Sequence, residues 1–546
     1  MQSHFSLIWE SVADAIPEQI ALIQGDRRIT WHDYEERAAR LAQGLIDAGL
    51  GHDAKVGMYL YNSPEYAETN FAAMKIGGVP INVNYRYLDE ELHYLLENAD
   101  VEALVFHRSL GDRVARVCDR LPMLKAIICV DDGPAEDGSM GPANSISYDA
   151  FLSQASGTAR TQPRGDEMYM LYTGGTTGMP KGVMYPLDAF TEFFMRGFPP
   201  MIGLAPFEDA AQFAAAARQM VDANTAVVAM SGPPLMHGTG CWLGLMFPHM
   251  LGGTAVLLEN RGFKPEEVWD TVERDRISQI VIVGDAFAKP LLRALETTPN
   301  RWDTSSLKLM ISSGAMFTTE VKRGLINHVP ELAIADVLGS TEGGMGQSIM
   351  TRDTPASETA KFTLLPVAKV LLPDGSREVI PGSGEVGMVA QGGMVPIGYY
   401  KDPEKSAKTF KEIDGRRYAF PGDMATIDAD GTVNLLGRGS NCINTGGEKI
   451  FPEEVEEALK LHDAVEDALV FGLDDERFGS RVAGVVSLEE GSSSDIEEIL
   501  EATRKLLAGY KVPKELLEVP IVPRAPNGKP DYKTARSLMT NSQPPD

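Results

Sequence analysis

Apolar residues run along this chain in two alternating rhythms, one helical and one of short buried strands. Residues 28–51 read as a strand end followed by an amphipathic helix: Thr30 caps it, Tyr34, Ala38, Leu41 and Leu45 repeat at helical spacing, and Gly49 or Gly51 ends it. The runs VGMYLY (56–61) and VEALVFH (101–107) bracket a second helical region, with GGVPINVNYRY between them. Further along, TAVVAM (225–230), TAVLLE (254–259), IVIVG (280–284) and LKLMISSG (307–314) are short apolar runs that stop at Gly or a polar residue, as buried parallel strands do. That alternation predicts a layered α/β domain. From about Lys369 the texture shifts to short strands between the turn signals PDGS, PGSGEVG and DADG, a β-rich subdomain that closes before residue 437. A helix from near Pro452 with Val455, Ala458 and Leu459 on its apolar face, strands DALVFGL (467–473) and RVAGVVSL (481–488), and a helix over 494–508 then form a small self-contained α/β domain, with the boundary near Ser440. The four glutamates near Pro452 suit a helix N-terminus.

Composition narrows the function classes. The 546 residues are too many for one core, and 43% hydrophobic with 23% charged is an ordinary soluble balance. A net charge of −27 argues against a nucleic-acid partner, because phosphate backbones need Lys and Arg surfaces. Cys118, Cys129, Cys241 and Cys442 form no C-x-x-C pair, which implies neither a zinc site nor a disulfide framework and fits a reducing cytoplasm. The N-terminus, MQSHFSLIWESVADAIPEQ, has acids and no continuous apolar core, so it does not read as a secretory signal. The most apolar long window, Leu243–Leu258, is interrupted by Pro248, His249, Gly252 and Gly253 and falls short of the ~20 residues of a membrane span. Asp131–Ser145, rich in Gly, Pro, Ser and acids, reads as an exposed loop.

The chemistry gathers in YMLYTGGTTGMPKGVMYP (169–186). Residues 168–172 look like a buried strand end, and Thr173 to Gly182 then contain four glycines, three threonines, one proline and one lysine. Glycine lets backbone N–H groups approach phosphate oxygens, the threonines add hydroxyl donors, and Lys181 adds a positive charge, so the loop reads as a phosphate cradle. It is no Walker A loop, because Gly182 follows Lys181 where that motif needs Ser or Thr. Gly382, Gly384 and Gly387 fit G-x-G-x-x-G, but turn residues surround them and no amphipathic helix follows, so they read as a hairpin.

TGGTTGMPKG resembles the phosphate loop of the adenylate-forming enzymes, the family of acyl-CoA synthetases, luciferases and peptide-synthetase adenylation domains, with Gly174 where relatives usually carry Ser. Four more stretches match in the family's order. LGSTEGG (338–344) is similar to its aromatic-Gly-x-Thr-Glu motif; the resemblance implies that Thr341 bonds the α-phosphate, that Glu342 holds Mg²⁺, and that Leu338 gives apolar packing where an aromatic usually stacks on adenine. Asp423 in RRYAFPGDMATID matches the carboxylate on the ribose hydroxyls, Arg438 in LGRGSN the ribose and hinge residue, and Lys529 in RAPNGKPDYKTAR the catalytic lysine of the C-terminal domain. By the same resemblance Thr173, Gly174, Gly175, Thr176, Thr177, Lys181, Gly314 and Gly339 join the ATP/AMP site, His237 in PPLMHGTG the acyl pocket wall, and Gly446 and Gly447 the CoA arm. The implied organisation is an N-terminal AMP-binding domain (1–437), a hinge (438–440) with Ser440 where Asp or Lys is more usual, and a mobile C-terminal domain (441–546).

The resemblance implies an acyl-CoA synthetase in which a carboxylate attacks the α-phosphorus of ATP, pyrophosphate leaves, and CoA then attacks the acyl adenylate once Lys529 has withdrawn. Two anions must meet in the first step, and Mg²⁺, Lys181 and Lys529 offset their repulsion. GDAFAKP (284–290), HGTG and the Gly-Gly-Glu-Lys run resemble bacterial ligases for fatty acids and sterol side chains, so the expected substrate is a medium to long aliphatic acid, branched and cyclic ones included. The rivals are an adenylation enzyme that loads a carrier protein, against which the chain ends soon after Lys529, and a non-catalytic scaffold, against which the catalytic residues are intact.

Overall fold

The computed structural model describes residues 3–133, 141–173, 179–201, 204–354, 359–445, 448–475, 479–492, 494–526 and 528–542. The fold is mixed α/β, with a large N-terminal domain and a small C-terminal one. Its main sheet has Arg27–Thr30 at one edge, antiparallel to its neighbour, then parallel strands in the order Ile20–Gln24, Thr254–Leu257, Val228–Ser231, Gln279–Ile282, Leu309–Ser313 and Ala333–Ser340. The expected apolar runs thus become strands, each trimmed by a residue or more at an end. A second parallel sheet, ordered Val79–Asn82, Lys55–Tyr59, Val101–His107, Ala126–Val130 and Ile146–Ser147, makes the other layer. The helix Trp31–Asp47 forms as its spacing predicts: the Thr30 hydroxyl accepts from Asp33 N, and Tyr34, Ala38, Leu41 and Leu45 are buried.

After Ala333–Ser340 the main sheet turns antiparallel. Gly343–Met350 doubles back on it, and Lys361–Leu364, Val433–Arg438, Asp423–Ile427 and Gly387–Gln391 come next in order. Ala368–Leu371 pairs antiparallel with Gly387–Gln391 around Gly382 and Gly384, so the G-x-G-x-x-G stretch is a hairpin connection. A three-stranded sheet of Met168–Thr173, Lys181–Pro186 and Gly398–Tyr399 carries the phosphate loop between its first two strands. Strand character over Lys181–Pro186 is new relative to the sequence reading. It comes from pairing on both edges, which overrides the Gly and Pro within it.

The core changes hands between residues 433 and 443. Val433 packs with Phe362, Val370 and Val389, whereas Ile443 and Ile450 pack with Val455, Leu459, Val470 and Val482. The small domain pairs Val465–Asp475 antiparallel with Gly479–Leu488, adds Glu515–Glu518 in parallel, and covers them with the helices Pro452–Lys460, Ile496–Leu506 and Tyr532–Ser542. Two of the glutamates read as helix-terminal charges turn inward instead: Glu456 is 4% exposed and accepts from Val470 N, and half-buried Glu453 turns toward Gly437. Among the described residues, no helix is long and apolar enough to cross a membrane. Part of the apolar Leu243–Leu258 window lies in a π-helical stretch, Thr239–Met246.

Candidate active site

Parallel strands set the loops at their carboxyl ends along one edge of the sheet, where ligands of open α/β sheets bind. His237 comes after Val228–Ser231, Gly314 after Leu309–Ser313, and Thr341 with Glu342 after Ala333–Ser340. The last pair sits at the tip of the hairpin to Gly343–Met350, where Gly339 pairs with Gly344. Two tyrosines hold the tip: Tyr185 Oη donates to the Thr341 carbonyl at 2.7 Å, and Tyr399 Oη donates to Glu342 Oε1 at 2.7 Å. Glu342 is buried.

The β-rich region supplies the next two groups. Asp423 and Arg438 stand opposite each other in adjacent antiparallel strands, with Arg438 Nε 3.5 Å from Asp423 Oδ1. Asp423 Oδ2 is buried and makes no hydrogen bond. Burial pushes the carboxyl above its ordinary range, and the Arg438 guanidinium partly offsets that. The result is a buried acceptor without a donor, the kind of group a diol donor would satisfy.

Lys529 arrives from the small domain. Ala525 N donates to the Lys529 carbonyl and Gly528 N to that of Ala525, both at 2.8 Å, closing the turn that the Pro-Asn-Gly-Lys sequence predicts. Arg524 braces it, with Nη1 on the Gly528 carbonyl at 3.2 Å and its other nitrogens on both oxygens of Asp467 at 2.5 and 2.8 Å. The turn seats on the large domain so closely that a Cβ at Gly528 would lie 3.2 Å from Ala286 Cβ and 3.3 Å from the Val283 carbonyl. Arg293 ties the domains beside it, to Glu466 at 3.2 Å and Glu489 at 2.7 Å. The Lys529 side chain is accessible to solvent within the cleft, although protein encloses it. That enclosure lowers its ammonium pKa, Arg438 lowers it further, and the charges of Glu342 and Asp423 act against both. A Cβ built on Gly314 would lie 3.8 Å from Lys529 Cε.

His237 faces the same lysine. Its Nε2 is buried without a hydrogen bond, and burial together with the Lys529 charge pushes its pKa down to about 3, so the imidazole is neutral at pH 7. It opens the π-helical stretch, where Trp242 Nε1 donates to Tyr169 Oη at 2.8 Å and Tyr169 stacks on Phe190 at 4.8 Å. Lys181 begins its strand opposite Thr173, 3.5 Å from Asp402 Oδ2. Gly174, Gly175, Thr176, Thr177, Gly446 and Gly447 lie outside the described residues, and Ser440 falls in a single 3₁₀ turn, Gly439–Asn441. Leu338 is 7% exposed and packs with Met345, Phe362, Val389 and Val433, on the strand face it shares with Ile334 and Asp336. That core covers most of the side chain expected against adenine.

The sequence model described as AMP-binding enzyme matches residues 9–400, and that of the AMP-binding enzyme C-terminal domain matches 454–529. The chain belongs to the AMP-binding enzyme family. It is 40% identical to a 3-oxocholest-4-en-26-oate–CoA ligase of Rhodococcus rhodochrous over 545 residues, 98% of this chain and 96% of that one. It is 39% identical to the medium-chain acyl-CoA ligase Mig of Mycobacterium avium over 552 residues, 97% of each. The crystal structure of the anthranilate CoA ligase AuaEII in complex with anthranoyl-AMP superposes with a TM-score of 0.81 at 21% identity, over 99% of this chain and 98% of that one. ATP-bound MatB from Rhodopseudomonas palustris gives 0.79 at 23%, over 99% of each. These two show the shared fold.

In this AMP-binding enzyme the donors present fit a nucleotide with its divalent cation. Glu342 brings a hard carboxylate oxygen, Lys181 and Lys529 bring cations for phosphate, and Asp423 keeps a buried acceptor without a donor. Sequence reasoning missed Tyr399, Tyr185, Asp402 and Glu453. Each acts on a residue distant in sequence, and GYYKDP (398–403) has no periodicity that points to the cleft.

Proposed function

We propose that this AMP-binding enzyme is an ATP-dependent acyl-CoA synthetase that activates a medium to long aliphatic acid, branched and cyclic acids included, through an acyl adenylate. The AMP-forming acid–thiol ligase class rests on relatives of 39–40% identity over nearly the whole chain, all named as CoA ligases. Names such as medium/long-chain-fatty-acid–CoA/3-oxocholest-4-en-26-oate–CoA ligase, carried by the Mycolicibacterium smegmatis relative, favour the acid class. One observation carries the mechanism: Lys529 of the small domain projects into the cleft that Glu342, Asp423 and Arg438 line.

In the first half-reaction the acid's carboxylate oxygen bonds to the α-phosphorus and pyrophosphate leaves with the electrons of the broken P–O bond. Lys529 and Lys181 stabilise the charge that gathers there, Thr341 bonds the α-phosphate, and Asp423 and Arg438 fix the ribose. Glu342 would hold Mg²⁺, which would supply charge neutralisation on the phosphates. Neutral His237 lines the acyl end without adding a charge beside the incoming carboxylate. In the second half-reaction the CoA sulfur bonds to the acyl carbon and AMP leaves. Lys529 must vacate the cleft for this, so we assign residues 1–437 and 441–546 as the two domains and 438–440 with Ser440 as the pivot. Gly446 and Gly447, just beyond it, are assigned to the pantetheine path, and the cytoplasm, which supplies ATP and CoA, is the assigned compartment.

Acid-dependent ATP–pyrophosphate exchange across acetate, benzoate, octanoate, palmitate and a sterol side-chain acid, followed by thioester formation with CoA, tests the reading. Exchange and transfer should concentrate on the aliphatic and sterol acids. No exchange with any acid would leave a scaffold, and exchange without CoA transfer would favour loading of a carrier protein.

A further inference from the structure

One buried side chain touches two elements of the site at once. Tyr399 is 6% exposed and ends the short strand Gly398–Tyr399, which pairs with Met184 and Val183 immediately after the phosphate loop. Its hydroxyl donates to Glu342 Oε1 at 2.7 Å, and Lys181 Nζ lies 5.6 Å from its ring centroid. Three residues on, Asp402 stands 3.5 Å from the same ammonium while its Oδ1 accepts from Lys405 N and so caps the helix Pro403–Thr409.

A carboxylate has two oxygens and about four lone-pair sites. A donor fixed on Oε1 sets the rotation of the group and leaves Oε2 for another ligand. We propose that Tyr399 is a positioning residue for the divalent cation: it holds the Glu342 carboxylate in its ligating orientation and, through its ring, keeps Lys181 in register with it. This rests on the reading of Glu342 as the metal ligand. Partners of this kind behind a metal ligand typically change metal affinity by about 10- to 100-fold when removed.

Tyr399→Phe removes the hydroxyl and keeps the ring under Lys181. Two quantities are read: Mn²⁺ binding to the full chain with a non-hydrolysable ATP analogue, by electron paramagnetic resonance of free Mn²⁺, and the Mg²⁺ dependence of ATP–pyrophosphate exchange. The expected result is a half-saturating metal concentration about 10- to 100-fold higher in both, a much smaller loss of rate at saturating metal, and a Glu342→Gln/Tyr399→Phe double variant no worse in Mn²⁺ binding than Glu342→Gln. Unchanged metal dependence in Tyr399→Phe, with Glu342→Gln impaired, overturns the positioning role alone, as does a fall in Tm with metal affinity intact. Unchanged metal dependence in Glu342→Gln overturns the metal assignment and this proposal with it.

Discussion

Glu453 places a titratable contact across the pivot, and its removal should change how the balance between half-reactions depends on pH. It begins the helix Pro452–Lys460 of the small domain, yet its carboxylate lies on the last strand of the large one: a Cβ at Gly437, where φ is +117°, would come within 2.1 Å of its Oε2, and Arg438 N donates to its Oε1 at 3.5 Å. Oε2 is buried without a hydrogen bond. Burial raises the carboxyl from 4.5 to about 8, with Glu456 and then Asp423 pushing the same way. The docked pose therefore binds the proton more tightly than an open one, so docking weakens as pH rises from 4.5 to about 8 and levels off above that. At about 1.36 kcal/mol per pH unit, the ceiling is roughly 5 kcal/mol. Glu456 travels on the same helix and its share survives undocking, so we expect about 2 kcal/mol, or ~30-fold. Glu453→Gln mimics the protonated form. The ratio of ATP–pyrophosphate exchange to thioester formation from supplied acyl adenylate should fall from pH 5.5 to 8 in the parent enzyme and stay nearly level in Glu453→Gln, with the two diverging most at the high end. Equal pH dependence of that ratio in both proteins would refute the reasoning.

Lys529→Ala should cost adenylation about 10²- to 10³-fold while sparing thioester formation from the acyl adenylate, and Gly447→Leu should do the reverse by narrowing the pantetheine path; equal slowing of both half-reactions in either variant counts against the two-pose mechanism. Leu338→Ala removes a side chain buried among Met345, Phe362 and Val433 and should lower stability by about 2–5 kcal/mol in denaturant titration. A raised KM for ATP at full stability would return Leu338 to the adenine face. Gly437→Ala forces a methyl into the Glu453 carboxylate at a backbone angle that L residues avoid, so it should depress exchange more than thioester formation, and an equal loss in both would show only a weakened fold.

Four strands of the main sheet, Thr254–Leu257, Val228–Ser231, Gln279–Ile282 and Leu309–Ser313, were legible because each is an apolar run cut off by a polar residue or Gly, and burial on both faces demands that pattern. The strand Lys181–Pro186 was not, since it owes its shape to Met168–Thr173 on one side and Gly398–Tyr399, more than two hundred residues later, on the other. The same divide runs through the site. Glu342, Asp423 and Lys529 were singled out by the order of the family motifs, and the chemistry proposed for them needs a hard oxygen, a diol acceptor and a cation, which few residue types supply. Leu338 shows what that route leaves out: its motif position suggested adenine, and strand pleating also packs it into a core the motif does not mention.

Residues that act on other residues leave no such trace. Tyr399 is 57 residues from Glu342 along the chain, and any donor of the right length there would hold the carboxylate. Glu453 was read as a charge favouring a helix N-terminus, which is what its local sequence says. In the folded chain its carboxylate lies against Gly437 across the domain boundary, which the local sequence does not announce. Both contacts also belong to the pose in which Lys529 occupies the cleft, and they divide by whether that pose is needed for them. Tyr399 and Glu342 both lie before the proposed pivot and would stay together if the small domain swings as proposed, so the metal site should persist through both half-reactions. Glu453 and Lys529 lie beyond it and would move together. A variant of the first pair should therefore be felt whenever nucleotide is bound, and a variant of the second only while the adenylate is being made.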